Sequence, residues 1–165
     1  MAIKLDMSKA YDKVEWEFLR TVLFKMNFPL VWIDLVMDCI SSTSLSFVLN
    51  GRNVGNVMPY RGLRQWCPLS PYLFLFCTEA FSCLLSDSEK NVRGLGFKCC
   101  RGAPIVSHMF FADDSFLFCK ASKKSSLCIK KILDIYERGS GQQINLHKSS
   151  INFNPNVDNI NRSGI

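Results

Sequence analysis

Met109-Phe110-Phe111-Ala112-Asp113-Asp114-Ser115-Phe116-Leu117-Phe118 sets two adjacent aspartates between two apolar runs. Such runs on either side of a polar pair read as a β-hairpin. Ionised carboxylates beside apolar surface cost several kcal/mol unless a cation compensates, and a divalent metal is the most economical candidate. A third carboxylate is then expected nearby. Ile3-Lys4-Leu5-Asp6 offers one, a short apolar lead that reads as a strand ending on Asp6. Asp6 and Asp113 are 113 − 6 = 107 positions apart, so adjacent strands of one sheet must bring them together. Three carboxylates can hold two magnesium ions, because magnesium favours hard oxygen ligands. Taken alone, Asp113-Asp114 also suits a simple turn.

Working outward, Asp12 and Glu15 have the spacing of a capping box, followed by Val14, Phe18, Val22 and Met26 at helical intervals ending near Asn27. Pro29 opens a second helix with the stripe Trp32, Leu35, Val36, Cys39 and Ile40. Leu45, Phe47 and Leu49 alternate, and Asn50-Gly51 predicts a hairpin into a strand over Val54 to Met58. Arg61 to Pro71 reads as a loop entering a buried helix over Tyr72 to Leu85. Gly94 to Cys100 suggests a short strand. Ser125 to Arg138 suggests a helix turning Cys128, Ile132, Ile135 and Tyr136 inward and stopping at Gly139 and Gly141. Ile151 and Phe153 mark a last strand. This divides the chain into one α+β domain over 1–153 and a frayed, asparagine-rich tail over 154–165.

Composition is compatible with this reading. At 165 residues, 48% hydrophobic and 21% charged, the chain suits one globular domain. Its net charge of +6 permits an anionic partner without demanding one. Eight cysteines without a CxxC pair, beside only two histidines, argue against zinc. Cys39, Cys77 and Cys83 fall in apolar helical patterns and read as reduced core residues of an intracellular protein. No targeting segment leads into Asp6. The Tyr72 to Leu85 stretch is fourteen residues with Glu79 inside it, short of the roughly 20 that span a bilayer, so no membrane is expected.

Four segments in order resemble the palm of a reverse transcriptase, of the non-LTR (LINE-type) retrotransposon kind common in plants. They are Lys4-Leu5-Asp6-Met7-Ser8-Lys9-Ala10-Tyr11-Asp12; Arg61-Gly62-Leu63-Arg64-Gln65-Trp66-Cys67-Pro68-Leu69-Ser70-Pro71; Phe111-Ala112-Asp113-Asp114; and Ser140-Gly141-Gln142-Gln143-Ile144-Asn145-Leu146-His147-Lys148-Ser149. The resemblance covers nearly the whole chain. It implies a ferredoxin-like or RNA-recognition-like antiparallel sheet with helices on one face. It also implies RNA-templated DNA synthesis by two-metal nucleotidyl transfer, with Mg2+ and Mn2+ as a substitute. The partners it implies are an RNA template, a DNA primer and a dNTP, with no obligate protein partner inferred.

By that resemblance Asp6 and Asp113 are the principal metal ligands, and Asp114 is a weaker ligand or shapes the site. Tyr11 is the ring under the sugar that disfavours a 2′-hydroxyl; a core tyrosine is its plain alternative. Gln65 serves the nascent base pair. Lys148 stands near the triphosphate, or is a solvated surface lysine. It is no phosphate loop, since His147 rather than glycine precedes it. Lys123, Lys124, Lys130 and Lys131 read as a solvated helix face, and His108 as structural.

Two departures from the family stand out. Trp66 occupies a position that is normally glycine, so its indole is expected either to fill the nucleotide pocket or to distort the loop. The alternative is a ring turned outward or stacked on a base. The family's fingers and thumb are also missing from the stretch, so the sequence reads as a truncated or decayed copy with catalysis lost and apolar surface exposed. A non-catalytic nucleic-acid-binding remnant is the rival, and a two-metal nuclease accounts for less of the sequence.

Overall fold

The computed structural model describes residues 1–91, 94–111 and 114–157. Seven strands and four helices alternate through them in the order β1 (Ala2–Ser8), α1 (Trp16–Lys25), α2 (Leu30–Ser41), β2 (Leu45–Leu49), β3 (Arg52–Val57), α3 (Ser70–Asn91), β4 (His108–Phe111), β5 (Asp114–Phe118), α4 (Lys123–Ser140), β6 (Gln143–Ile144) and β7 (Ser150–Asn152). The main sheet is antiparallel in the order β4-β5-β1-β6, and β7 pairs with the first half of β1.

Strict alternation places β1 at the centre. Ile3, Leu5 and Met7 are buried and Lys4, Asp6 and Ser8 lie on the opposite, half-open face. On β5, Ser115 and Leu117 point the same way as the buried set. The helices cover only that face. Leu19 and Leu23 of α1, Leu73, Cys77 and Phe81 of α3, and Ile129 and Ile132 of α4 join Ile3, Leu5 and Leu117 in one core. Fully burying each of the larger side chains contributes about 1.5–3 kcal/mol. The result is an α+β layer pair whose open sheet face carries Asp6, as expected.

Several local expectations are corrected. Asp12 and Glu15 form no capping box. Glu15 is the N-cap of α1 without a side-chain cap bond, because its Oε1 accepts from Arg61 at 3.2 Å, while Asp12 Oδ1 accepts from Gln65. On α2 the inward residues are Ile33 and Val36; Leu35 and Cys39 are exposed, because the core meets the helix on the Ile33 and Val36 side rather than along the expected stripe. Helix α3 runs longer than Tyr72 to Leu85 and buries one face only, leaving Tyr72 and Leu75 exposed. Cys83 is exposed there too. Residues 94–100 make isolated bridges, Leu95 to Cys119 and Phe97 to Val106, rather than a strand. Helix α4 buries Ile129 rather than Ile135, continues through Gly139 and ends at Gly141.

The Asn50-Gly51 hairpin forms as expected. Both turn residues have positive φ, 50° and 76°, the backbone of a type I′ turn. Every residue of β2 and β3 is exposed. Of the expected tail, residues 154–157 close a turn through Val157 N–H to the Asn154 carbonyl; 158–165 lie outside the described residues.

His108 is structural, as expected. Its Nε2 lies 2.8 Å from Ser82 Oγ on α3 and its Nδ1 3.0 Å from Ser107 Oγ. Partial burial holds its pKa below the usual 6.5, with the Glu89 and Glu79 carboxylates opposing weakly. A base whose pKa is depressed by folding binds fewer protons folded than unfolded, so its contribution is lost as pH falls below about 6.5. His108→Asn should therefore flatten the fall in stability between pH 7 and pH 5, measured by urea unfolding at each pH. An unchanged slope would contradict this.

Candidate active site

The register of β1 and β5 does what 107 intervening residues obscure. Asp6 pairs directly with Asp114, and Phe111 of β4 lies opposite Asp114 on the next strand. Directly opposed residues on antiparallel strands have Cβ atoms about 4.5–5.5 Å apart. Asp113 lies outside the described residues. Among the described residues no group of three or more Asp, Glu, His or Cys side chains is arranged to hold a metal. The described part of the site is thus two of the three expected carboxylates.

The backbone of Asp6 is held from the fourth motif. Its N–H donates to Ser149 Oγ at 3.2 Å, and its carbonyl accepts from Asn145 N–H at 2.8 Å. Beside it a cavity of about 440 Å³ is lined by Asp6, Tyr11, Gln65, Asn145 and Lys148 among others. Four expected site residues therefore meet at one opening. Tyr11 is half-buried and stacks on Phe74 with ring centroids 4.6 Å apart and planes 10° from parallel. It both joins the core and reaches the cavity, so the two readings of this residue are compatible.

Gln65 also borders a second cavity, of about 520 Å³, with Asp12, Trp16, Arg61, Arg64 and Cys67. Its Nε2 donates to Asp12 Oδ1 at 3.2 Å. The loop is fastened further by Gly62 N–H to the Val14 carbonyl, Leu63 N–H to the Tyr11 carbonyl, and Trp16 Nε1–H to the Gly62 carbonyl. The second motif thus hangs on the turn that follows Asp6. The Cys67 thiol is drawn below its usual pKa chiefly by the Leu69 N–H, against the opposing effect of desolvation, with Ser70 and Arg64 adding smaller lowering effects.

Trp66 fills neither cavity. Its side chain is fully solvent-exposed, at 101%. The residue instead adopts φ 64°, the left-handed region where glycine is at ease. That conformation costs a bulky residue roughly 1–2 kcal/mol. Trp66→Gly loses no buried surface, so after the greater entropy of unfolded glycine it should gain about 0.5–1 kcal/mol in denaturant unfolding. A loss of stability would show the indole to be packed in solution.

Sequence reading missed Lys4, Asn145, Ser149 and Gln142. Lys4 Nζ lies 3.1 Å from Asp114 Oδ2, and its period-2 relation to Asp6 was the available signal. Gln142 is 1% exposed, and its Nε2 donates to the Ala10 carbonyl at 2.8 Å.

The model of one protein family, described as reverse transcriptase (RNA-dependent DNA polymerase), matches residues 1–160. The chain belongs to the reverse transcriptase family. Its relatives include an uncharacterized mitochondrial protein of Arabidopsis thaliana, 45% identical over 71 residues, 43% of this chain and 58% of that protein. The transposon TX1 uncharacterized 149 kDa protein of Xenopus laevis is 28% identical over 90% of the chain and 11% of its own length. The Pol polyprotein from the type-2 retrotransposable element R2DM of Drosophila melanogaster is 28% identical over 79% of the chain and 12% of its own. This reverse transcriptase domain thus resembles proteins of two transposable elements. It spans less than two thirds of each of these relatives.

The fold is shared with telomerase. A Candida albicans telomerase solved with a fragment of telomeric RNA superposes with TM-score 0.66 and 15% identity over 95% of this chain and 27% of that one. Apo telomerase of Candida tropicalis gives 0.61 and 17% over 90% and 30%. The α+β palm is thereby established as the architecture of this reverse transcriptase domain. Among the described residues no helix is long and apolar enough to cross a membrane.

Proposed function

We propose that this domain is the palm of an RNA-directed DNA polymerase, in which Asp6, Asp113 and Asp114 hold two magnesium ions, with manganese able to replace them. The observation that carries the reading is the direct Asp6–Asp114 pairing at the edge of a cavity shared with Tyr11, Gln65 and Lys148. The oxygen-only donor set suits a hard divalent cation. The bound ions would lower the pKa of the primer 3′-hydroxyl and neutralise charge on the departing pyrophosphate.

The chain's own residues supply position. Asn145 and Ser149 hold the backbone of Asp6 within β1, which runs on to Ser8 rather than ending on Asp6, so its carboxylate needs little reorganisation. Tyr11, braced on Phe74, sits where a deoxyribose is accepted and a 2′-hydroxyl crowded. Gln65, tethered by Asp12, keeps an amide at the junction of both cavities for the templating pair. Lys148 places an ammonium where pyrophosphate leaves. RNA template, DNA primer and dNTP are the partners this chemistry requires.

A second reading, a nucleic-acid-binding remnant without synthesis, is favoured by the exposed indole and strained backbone at Trp66. Mg2+-dependent dTTP incorporation on poly(rA)/oligo(dT) separates the two, with Asp113→Ala as the blank. The polymerase reading expects incorporation above the blank, because the indole leaves the pocket open. Incorporation only by Trp66→Gly would place a defect in the loop. Salt-sensitive binding with no synthesis by either protein would identify the remnant.

A further inference from the structure

Asp6 and Asp114 face each other across β1 and β5, and like charges directly opposed on antiparallel strands repel. Something must offset that repulsion before any metal arrives. Lys4 stands two residues before Asp6 and so shares its face, and its Nζ lies 3.1 Å from Asp114 Oδ2. The cross-strand neighbours of Lys4 are Phe116 on β5 and Ser150 on β7, both uncharged. The other ion pairs among the described residues, Arg20–Asp34 and Arg61–Glu15, involve neither aspartate.

We propose that Lys4 is a positioning residue, a built-in counter-cation that holds the Asp114 carboxylate while the metal site is empty and competes with the incoming ion for it. The inference rests on the reading of Asp6, Asp113 and Asp114 as the metal carboxylates. A lysine suits the task because its ammonium is a point charge on a flexible stem and can withdraw. Arginine would grip the same carboxylate through two donors and yield it less readily. Lys4 thus sets how strongly the site discriminates between empty and loaded states, with Asp6 left available to the ion.

The test uses the whole chain in two independent readouts, thermal melting without metal and Mn2+ titration followed by electron paramagnetic resonance. Lys4→Met should lower the metal-free Tm by about 2–4 °C, and the same change in an Asp114→Asn background should have no such effect. Lys4→Met should also bind Mn2+ roughly five-fold more tightly, Lys4→Arg no more tightly than the unmodified chain, and a Lys130→Met control on α4, which packs on the other face of the sheet, should match the unmodified chain. A Tm loss that persists with Asp114→Asn, or an unchanged Mn2+ affinity in Lys4→Met, would overturn the role given to Lys4. Failure of the metal reading looks different: Mn2+ binding would be absent throughout or insensitive to Asp6→Asn.

Discussion

Gln142→Leu will lower the free energy of unfolding by about 3 kcal/mol in a urea titration, a large share of the 5–15 kcal/mol typical of a domain. The side chain is buried between two clients. Its Nε2 donates to the Ala10 carbonyl, and its Oε1 accepts from the Tyr136 hydroxyl. Leucine keeps most of the volume and removes both partners, leaving a carbonyl and a hydroxyl that are costly to hold away from water. Tyr136 also has the Cys77 carbonyl at 3.3 Å, which moderates one side of the loss. Adding Tyr136→Phe to Gln142→Leu should restore part of the stability, because it removes one orphaned group. Equal stability of the single variant and the unmodified chain would mean that water reaches this pair.

The same cluster explains why the fourth motif recurs in the site. Gly141 caps α4 at φ 75°, and a Cβ there would lie 2.6 Å from the Lys13 carbonyl oxygen. Glu15 N–H donates to the Ser140 carbonyl at 2.9 Å. The chain leaving α4 is therefore pressed against the turn after Asp6, and the turn in its place sets Tyr11, Asp12 and the Gln65 loop. Buried hydrogen bonds of this kind define one arrangement of the site.

Asp6→Asn carries the second large effect. It should reduce Mg2+-dependent incorporation by on the order of 10³-fold, since a lost metal ligand removes several kcal/mol of charge stabilisation in the transition state. Stability should move the other way. Replacing one of two opposed carboxylates by an amide relieves repulsion with Asp114, so the metal-free Tm should rise slightly. Incorporation within ten-fold of the unmodified chain would remove Asp6 from the chemistry, whereas a lower Tm would point to misfolding rather than a lost ligand.

The strands of the site were legible because the alternation of Ile3 to Met7 and the apolar runs on either side of Asp113-Asp114 are local signals of strands. The Asn50-Gly51 turn was legible for the same reason. What escaped was what depends on distant partners. Asp12 and Glu15 have capping-box spacing, yet Gln65 and Arg61 engage them from about fifty residues away. Leu35 and Cys39 look like stripe residues but face outward, because the neighbours of α2 cover only the Ile33 and Val36 side. The pull of Gln142 on Ala10 spans 132 residues and leaves no local trace. Trp66 shows the converse: the glycine-like backbone of the loop was foreseeable, whereas the ring's escape into solvent follows from the space around that loop.

The most direct measurement of the central claim is the number of Mn2+ ions bound by the unmodified chain, counted by electron paramagnetic resonance beside Asp6→Asn and Asp113→Ala. The palm reading predicts two saturable sites in the unmodified chain and loss of specific binding in either variant. Undiminished binding in both variants, or none in the unmodified chain, would contradict it.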